Sequence, residues 1–269
     1  SGARQSRPKT IVSGIWPSTC VKPGRPEIMI LTYHELEPHS ASRPYSVLCS
    51  MFRRHLETLQ TLRQTGVPLP EITFDDGHAS QYEYGAPALE EAGFHGIFFI
   101  TAGWTGQRAG YMSAADLRSL ARAGHEIGSH GWSHALLTRC SESELAEELR
   151  RSRAFLEDCL GQAVTSISMP GGRWNDRVLA ACAEAGYRRV YNSEPHRRPG
   201  PRCGVELAGR WMVRRTTDTG GLMRVVRAGG ARRLLLRAQH EVKSVVRRLA
   251  GDALYQRMWQ TLGSRPEGR

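Results

Sequence analysis

The sequence predicts an α/β protein with parallel β/α architecture. Short runs rich in β-formers alternate with helical patterns from about residue 28 to residue 192, and glycine or proline marks most junctions. No internal repeat and no apolar run of transmembrane length breaks this order.

Taken in order, Ile28-Met29-Ile30-Leu31-Thr32-Tyr33 reads as the first strand and 51–65 as the first helix. The breaker Gly66-Val67-Pro68-Leu69-Pro70 then leads into Glu71-Ile72-Thr73-Phe74, a strand ending at Asp75-Asp76-Gly77, where Gly77 permits a sharp turn. A helix over 79–92 and a strand over 95–101 follow, then a helix over 114–123 and a strand over 125–129. Ser141-Glu142-Ser143-Glu144 is a capping box that opens a long helix over 142–160. A strand at 164–168, a helix at 176–186 and a strand at 188–192 complete the series. At 269 residues the chain suits one sizeable domain with appendages: an extension over 1–25, the β/α domain over 26–222, and a basic helical segment over 223–269.

Two of the strand ends carry chemistry. Asp76 at the first, with His130 and His134 in Ser129-His130-Gly131-Trp132-Ser133-His134 at the second, makes a two-histidine, one-carboxylate set. That pattern holds a divalent metal and leaves positions open for water and substrate. The spacing of His130 and His134 predicts both imidazoles on one side of a helical turn. Asp75, beside a metal ligand, is a carboxylate poised to move a proton, and this is a hydrolase's equipment. Alone, Asp-Asp-Gly is also an ordinary turn and His-x-x-x-His an ordinary surface or core pair; their joint placement favours the metal.

These two segments resemble the first two motifs of the polysaccharide deacetylase family (the NodB-type domain, carbohydrate esterase family 4). The likeness runs from about Ile28 to Val190 and takes in Tyr33-His34, Gly93-Phe94 and Met169-Pro170-Gly171-Gly172-Arg173. It implies a distorted, incomplete β/α barrel that removes acetyl groups from N-acetylated sugars. It further implies Asp75 as general base, and Asp76, His130 and His134 as ligands of one divalent metal. That metal is zinc, with cobalt, nickel or manganese as alternatives. The backbone N–H of Gly171 would support the oxyanion.

Two departures bear on the site. The family's third motif begins with an Arg that pairs with the catalytic Asp, and that position holds Ser168. Arg173, just past the motif, is the expected substitute. The family's late Leu-x-His, source of the general acid, has no counterpart; His196 and His240 lack its strand context. His34, at the C-terminal end of the first strand, is the candidate acid by position, or a histidine that caps the strand. Trp132 and Trp174 are candidate stacking surfaces for a sugar ring, with core packing as the competing reading.

The net charge of +11 is concentrated late, Arg210, Arg214, Arg215 and Arg224 included. Between Arg232 and Leu249 apolar and cationic faces separate on one helix, which reads as a solvated face or as a contact with an anionic membrane surface or glycolipid. No nucleic-acid motif accompanies the charge, so no such partner is expected. The scattered cysteines, without C-x-x-C pairing, and the absence of a legible signal peptide favour a cytoplasmic or peripheral-membrane location. The expected activity is therefore metal-dependent N-deacetylation of a sugar polymer, oligomer or glycolipid. The alternatives are hydrolysis of another amide or imide, and a carbohydrate- or lipid-binding protein that keeps the metal without turnover.

Overall fold

Strands that are apolar on both faces belong inside a parallel sheet covered by helices, and the chain folds that way. The computed structural model describes residues 29–195 and 199–227. Its main sheet has nine strands in the order β11-β1-β4-β5-β6-β7-β8-β10-β9. These are β1 (Ile30–Tyr33), β4 (Glu71–Phe74), β5 (Gly96–Ile100), β6 (Glu126–Ser129), β7 (Ser166–Ser168), β8 (Arg189–Asn192), β9 (Gly200–Arg202), β10 (Val205–Gly209) and β11 (Trp211–Met212). All neighbours are parallel except β10 and β9. A small parallel pair, β2 (Glu35–Glu37) and β3 (Ser46–Leu48), lies apart. No pairing joins β11 to β9 among the described residues, so the sheet is an incomplete barrel, as the resemblance implies.

The helices α1 (Cys49–Arg63), α2 (Ala86–Glu91), α3 (Ala114–Arg122), α4 (Glu142–Leu160) and α5 (Asp176–Glu184) provide the connections. The capping box at Ser141 and Glu144 forms, and a second at Ser113 and Asp116 opens α3. Leu56, Leu59, Leu117, Leu149 and Leu179 lie buried in the main core. The other face of the strands contributes a smaller cluster of Ile30, Ile97, Phe99, Tyr191 and Ala208. At the N-terminal end of the sheet Glu71 accepts hydrogen bonds from Tyr191 Oη (2.8 Å) and Arg189 (3.2 Å). The C-terminal ends are left for the site.

Three expectations need correction. The helix over 79–92 is interrupted by a π-helical turn, Gln81–Gly85, where the Gln81 amide donates to the carbonyls of His34 and Asp75. Strands β9 to β11 were not foreseen, being two to five residues long and lying in a polar, basic stretch. The domain boundary at 222 cuts through a helix, α6 (Thr219–Val226), whose Leu222 and Val226 are buried. The stripe between Arg232 and Leu249 lies outside the described residues. So does the extension over 1–25. No described helix is long and apolar enough to cross a membrane.

His55 of α1 ties the segment leading to α6 into the core. Its Nε2 faces the Thr217 carbonyl (3.2 Å), which can only accept, so Nδ1 accepts from Tyr33 Oη (3.1 Å). Burial pulls its pKa down to about 4 from the usual 6.5. The unfolded chain therefore binds the extra proton first, and stability is lost as pH falls from about 6.5 towards 4. The loss amounts to on the order of 3 kcal/mol. Thermal melting across that range should show the fall, and His55→Gln should flatten it.

Candidate active site

Every strand that contributes to the site does so at its C-terminal end. Asp75 and Asp76 follow β4, His130 follows β6, Ser168 ends β7, Arg210 separates β10 from β11, and His34 follows β1. Asp76 takes a left-handed backbone (φ 77°) and Gly77 continues it (φ 80°), so the two aspartates leave the strand in different directions.

Asp76, His130 and His134 converge: one ligand atom from each lies within 4.8 Å of the others. Asp76 Oδ1 stands 3.3 Å from Nε2 of both histidines. Yet this buried oxygen accepts a well-directed hydrogen bond from neither. A carboxylate oxygen left this way between two imidazole nitrogens fits a cation. His130 is set for it, since its Nδ1 donates to the Ser168 carbonyl (2.9 Å) and Nε2 keeps its lone pair for the centre. Electrostatics agree. Burial would push the Asp76 carboxyl up and the His130 imidazole down, but His130 and His134 draw the carboxyl below its usual range, and Asp75 and Asp76 raise the imidazole. The donor set of two nitrogens and one oxygen suits a divalent ion such as zinc.

No helical turn joins the two histidines, contrary to the expectation from their spacing. Residues 130–136 are irregular, and Gly131 (φ 77°) and His134 (φ 66°) are left-handed. The loop is held from outside by Glu148 of α4, which accepts from the Trp132 (2.8 Å) and Ser133 (3.0 Å) backbone N–H groups. A side chain on Gly131 would press against that carboxylate at 3.2 Å.

Asp75 is buried, and its counter-charge is Arg210. The guanidinium forms a two-pronged pair, 2.7 Å to each carboxylate oxygen. Its remaining N–H groups reach the Ser168 hydroxyl (2.7 Å), Thr73 Oγ1 (3.2 Å) and the Asn192 carbonyl (3.3 Å), so all five donors are used. Ser168 in turn donates to Asp75 (3.1 Å). Burial alone would raise the Asp75 carboxyl; Arg210 outweighs it and keeps Asp75 ionised. The expectation that Arg173 orients Asp75 is thereby corrected. Arg210, one of the residues in the late basic run, is 1% exposed and is no part of a solvated face.

His34 lies beside this centre, where Asp75, Asp76 and His130 all act on its charge. Its ring stacks on Tyr45 (5.3 Å), and Nδ1 is buried without a partner. Burial lowers its basicity against the pull of the two aspartates. Gly171 sits one turn past Ser168 in Pro170–Gly172 with φ 64°, where an added side chain would meet Leu136 at 2.8 Å.

The tryptophans divide differently from the expectation. Trp132 packs on α4, with Arg151 over its ring at 3.8 Å and Phe155 edge-on at 5.9 Å, so the core-packing reading holds for it. Trp174 donates to Glu194 (3.1 Å) and lies under Arg202 (4.8 Å). The aromatic wall of the centre is instead Trp104, stacked on His134 at 5.4 Å, with Tyr111 against it at 4.7 Å. Nothing in the linear spacing of Trp104 connects it with His134.

Comparison with known proteins agrees with the geometry. Residues 63–190 match the sequence profile of the polysaccharide deacetylase family. That stretch is similar to this family. A putative polysaccharide deacetylase of Bacillus subtilis, YxkH, is 26% identical over 66% of this chain and 69% of its own length. A chitooligosaccharide deacetylase of Sinorhizobium fredii is 29% identical over 55% of this chain and 69% of its own. Of two further relatives the chain spans 44% and 22%. Among solved structures, the Streptococcus pyogenes deacetylase PplD shares the fold at a TM-score of 0.66 and 18% identity, over 75% of this chain and 98% of that one.

Proposed function

We propose that the protein is a metal-dependent hydrolase that removes N-acetyl groups from an N-acetylated sugar. The observation that carries this is the division of labour between adjacent carboxylates, Asp76 turned to the two histidines and Asp75 to Arg210.

Asp76, His130 and His134 would hold the ion. Bound there, a divalent cation, zinc by preference, supplies Lewis acidity towards an acetamide carbonyl and lowers the pKa of a water. Asp75, ionised and unable to rotate away from Arg210, accepts the proton that the attacking water gives up. The Gly171 backbone, fixed in its left-handed turn beside Ser168, is the proposed support for the oxyanion. His34, whose Nδ1 has no partner, is the proposed donor to the leaving nitrogen. The C–N bond breaks, and acetate and a free amino sugar result.

A protein that merely binds carbohydrate has no use for a buried, ion-paired carboxylate next to a metal ligand, so Asp75 favours catalysis over the binding alternative. The similarity to enzymes named for sugar deacetylation favours an acetamide over other amides or imides. The test is acetate release from N-acetylglucosamine oligomers and from lipid-linked N-acetylated sugars, with and without a chelator. Chelator-sensitive acetate, matched by free amine, is the expected result. Sugar binding without acetate would support the binding alternative.

A further inference from the structure

We propose that Arg108 forms an anion-recognition subsite at the mouth of the centre, so that the sugar substrate carries a carboxylate or phosphate close to the acetamide that is cut. This deepens the deacetylase reading and rests on it.

The segment from Thr101 to Met112 is pinned to the catalytic loop by the backbone bonds Thr101 N to Asp76 O (3.4 Å), Met112 N to Gly77 O (3.0 Å) and Ala79 N to Gly110 O (2.8 Å). Its tip is closed by Arg108 N to Trp104 O (3.0 Å) and Tyr111 N to Arg108 O (3.2 Å). Arg108 therefore stands at a fixed place relative to Asp76, even though it is solvent-exposed.

Its side chain is also ordered. The guanidinium lies 4.4 Å from the Trp104 ring and 4.9 Å from the Tyr111 ring, and Trp104 in turn stacks on the metal-ligand candidate His134 at 5.4 Å. A guanidinium laid on aromatic faces keeps its N–H edge for a ligand and loses little freedom when it binds one.

Among the described residues it has no counter-charge. Among the described residues no carboxylate stands within 4.0 Å of Arg108. The carboxylates that act on neighbouring Tyr111 are already engaged: Glu35 pairs with Arg43 at 2.5 Å, and Asp76 faces the histidines. The arginine elsewhere at this centre, Arg210, has every donor satisfied. An ordered cation beside a reaction site, without a carboxylate partner among the described residues, fits an anionic group on the substrate. Planar two-pronged binding accepts either a carboxylate or a phosphate oxygen pair.

The experiment compares three N-acetylated glucosamine ligands: a neutral oligomer, one bearing a 3-O-linked carboxylate, and one bearing a phosphate monoester. They are assayed with the metal-loaded full chain, Arg108→Gln and Arg108→Lys. For at least one of the two anionic ligands, Arg108→Gln should lower kcat/KM about tenfold or more, mostly through KM. The neutral oligomer should change less than about twofold, and Arg108→Lys should recover part of the loss. Which anionic arm shows the effect identifies carboxylate or phosphate as the source. Calorimetric binding of the three corresponding deacetylated sugars reads the subsite without turnover. If no acetamide is cut but Arg108-dependent anion binding persists, the deacetylase reading fails and the subsite stands. If turnover is present and Arg108→Gln affects neutral and anionic ligands equally, or no binding depends on Arg108, the subsite proposal is overturned.

Discussion

Arg210→Met should abolish most acetate release, by about 10² or more, and destabilise the fold by about 3–5 kcal/mol. The size follows from what the substitution leaves behind. Asp75 is buried and would keep only the Ser168 hydroxyl as a partner. An uncompensated carboxylate in that position recovers by taking up a proton, and a protonated Asp75 cannot accept one from water. Loss of activity should therefore be steepest at mildly acidic pH and ease as pH rises. Thermal melting and acetate release, both followed against pH, read the two consequences. A rescue sharpens the test: Ser168→Arg combined with Arg210→Ser returns a guanidinium to the position the family more commonly uses. It should recover part of both stability and turnover. A stable, fully active Arg210→Met would show that the pair has no role in the reaction.

The second large effect belongs to the metal centre. His130→Ala should lower bound metal well below one ion per chain and reduce acetate release by on the order of 10³, the equivalent of several kcal/mol of lost Lewis-acid assistance. His130 is the more sensitive of the two histidines because its Nδ1 bond to the Ser168 carbonyl joins the ligand set to the Asp75 network. Elemental analysis beside the assay is the check. Undiminished metal in His130→Ala would remove it from the ligand set.

The parts of this site that were legible in the sequence are those that local geometry dictates. A strand ending in Asp75-Asp76-Gly77 must present two carboxylates at a turn, and Ser129-His130 must present an imidazole at the next strand end but one. Alternating apolar runs and capping residues located β1, β4 to β8 and the main helices for the same reason. The inferences that failed depended on contacts distant in sequence. Arg210 pairs with a carboxylate 135 residues earlier, and its neighbours Arg214 and Arg215 disguise it as surface charge. His130 and His134 have helical spacing, but two left-handed residues and the clamp from Glu148 bring them together without a helix. Trp104 reaches His134 across a loop that only the fold brings near.

The division of roles between adjacent aspartates is the central claim, and measuring metal content and acetate release together for Asp75→Asn and Asp76→Asn tests it most directly. Asp75→Asn should keep a full complement of metal and lose turnover by about 10² or more, whereas Asp76→Asn should lose both. Asp75→Asn that sheds its metal, or that releases acetate at the unmodified rate, would contradict the account.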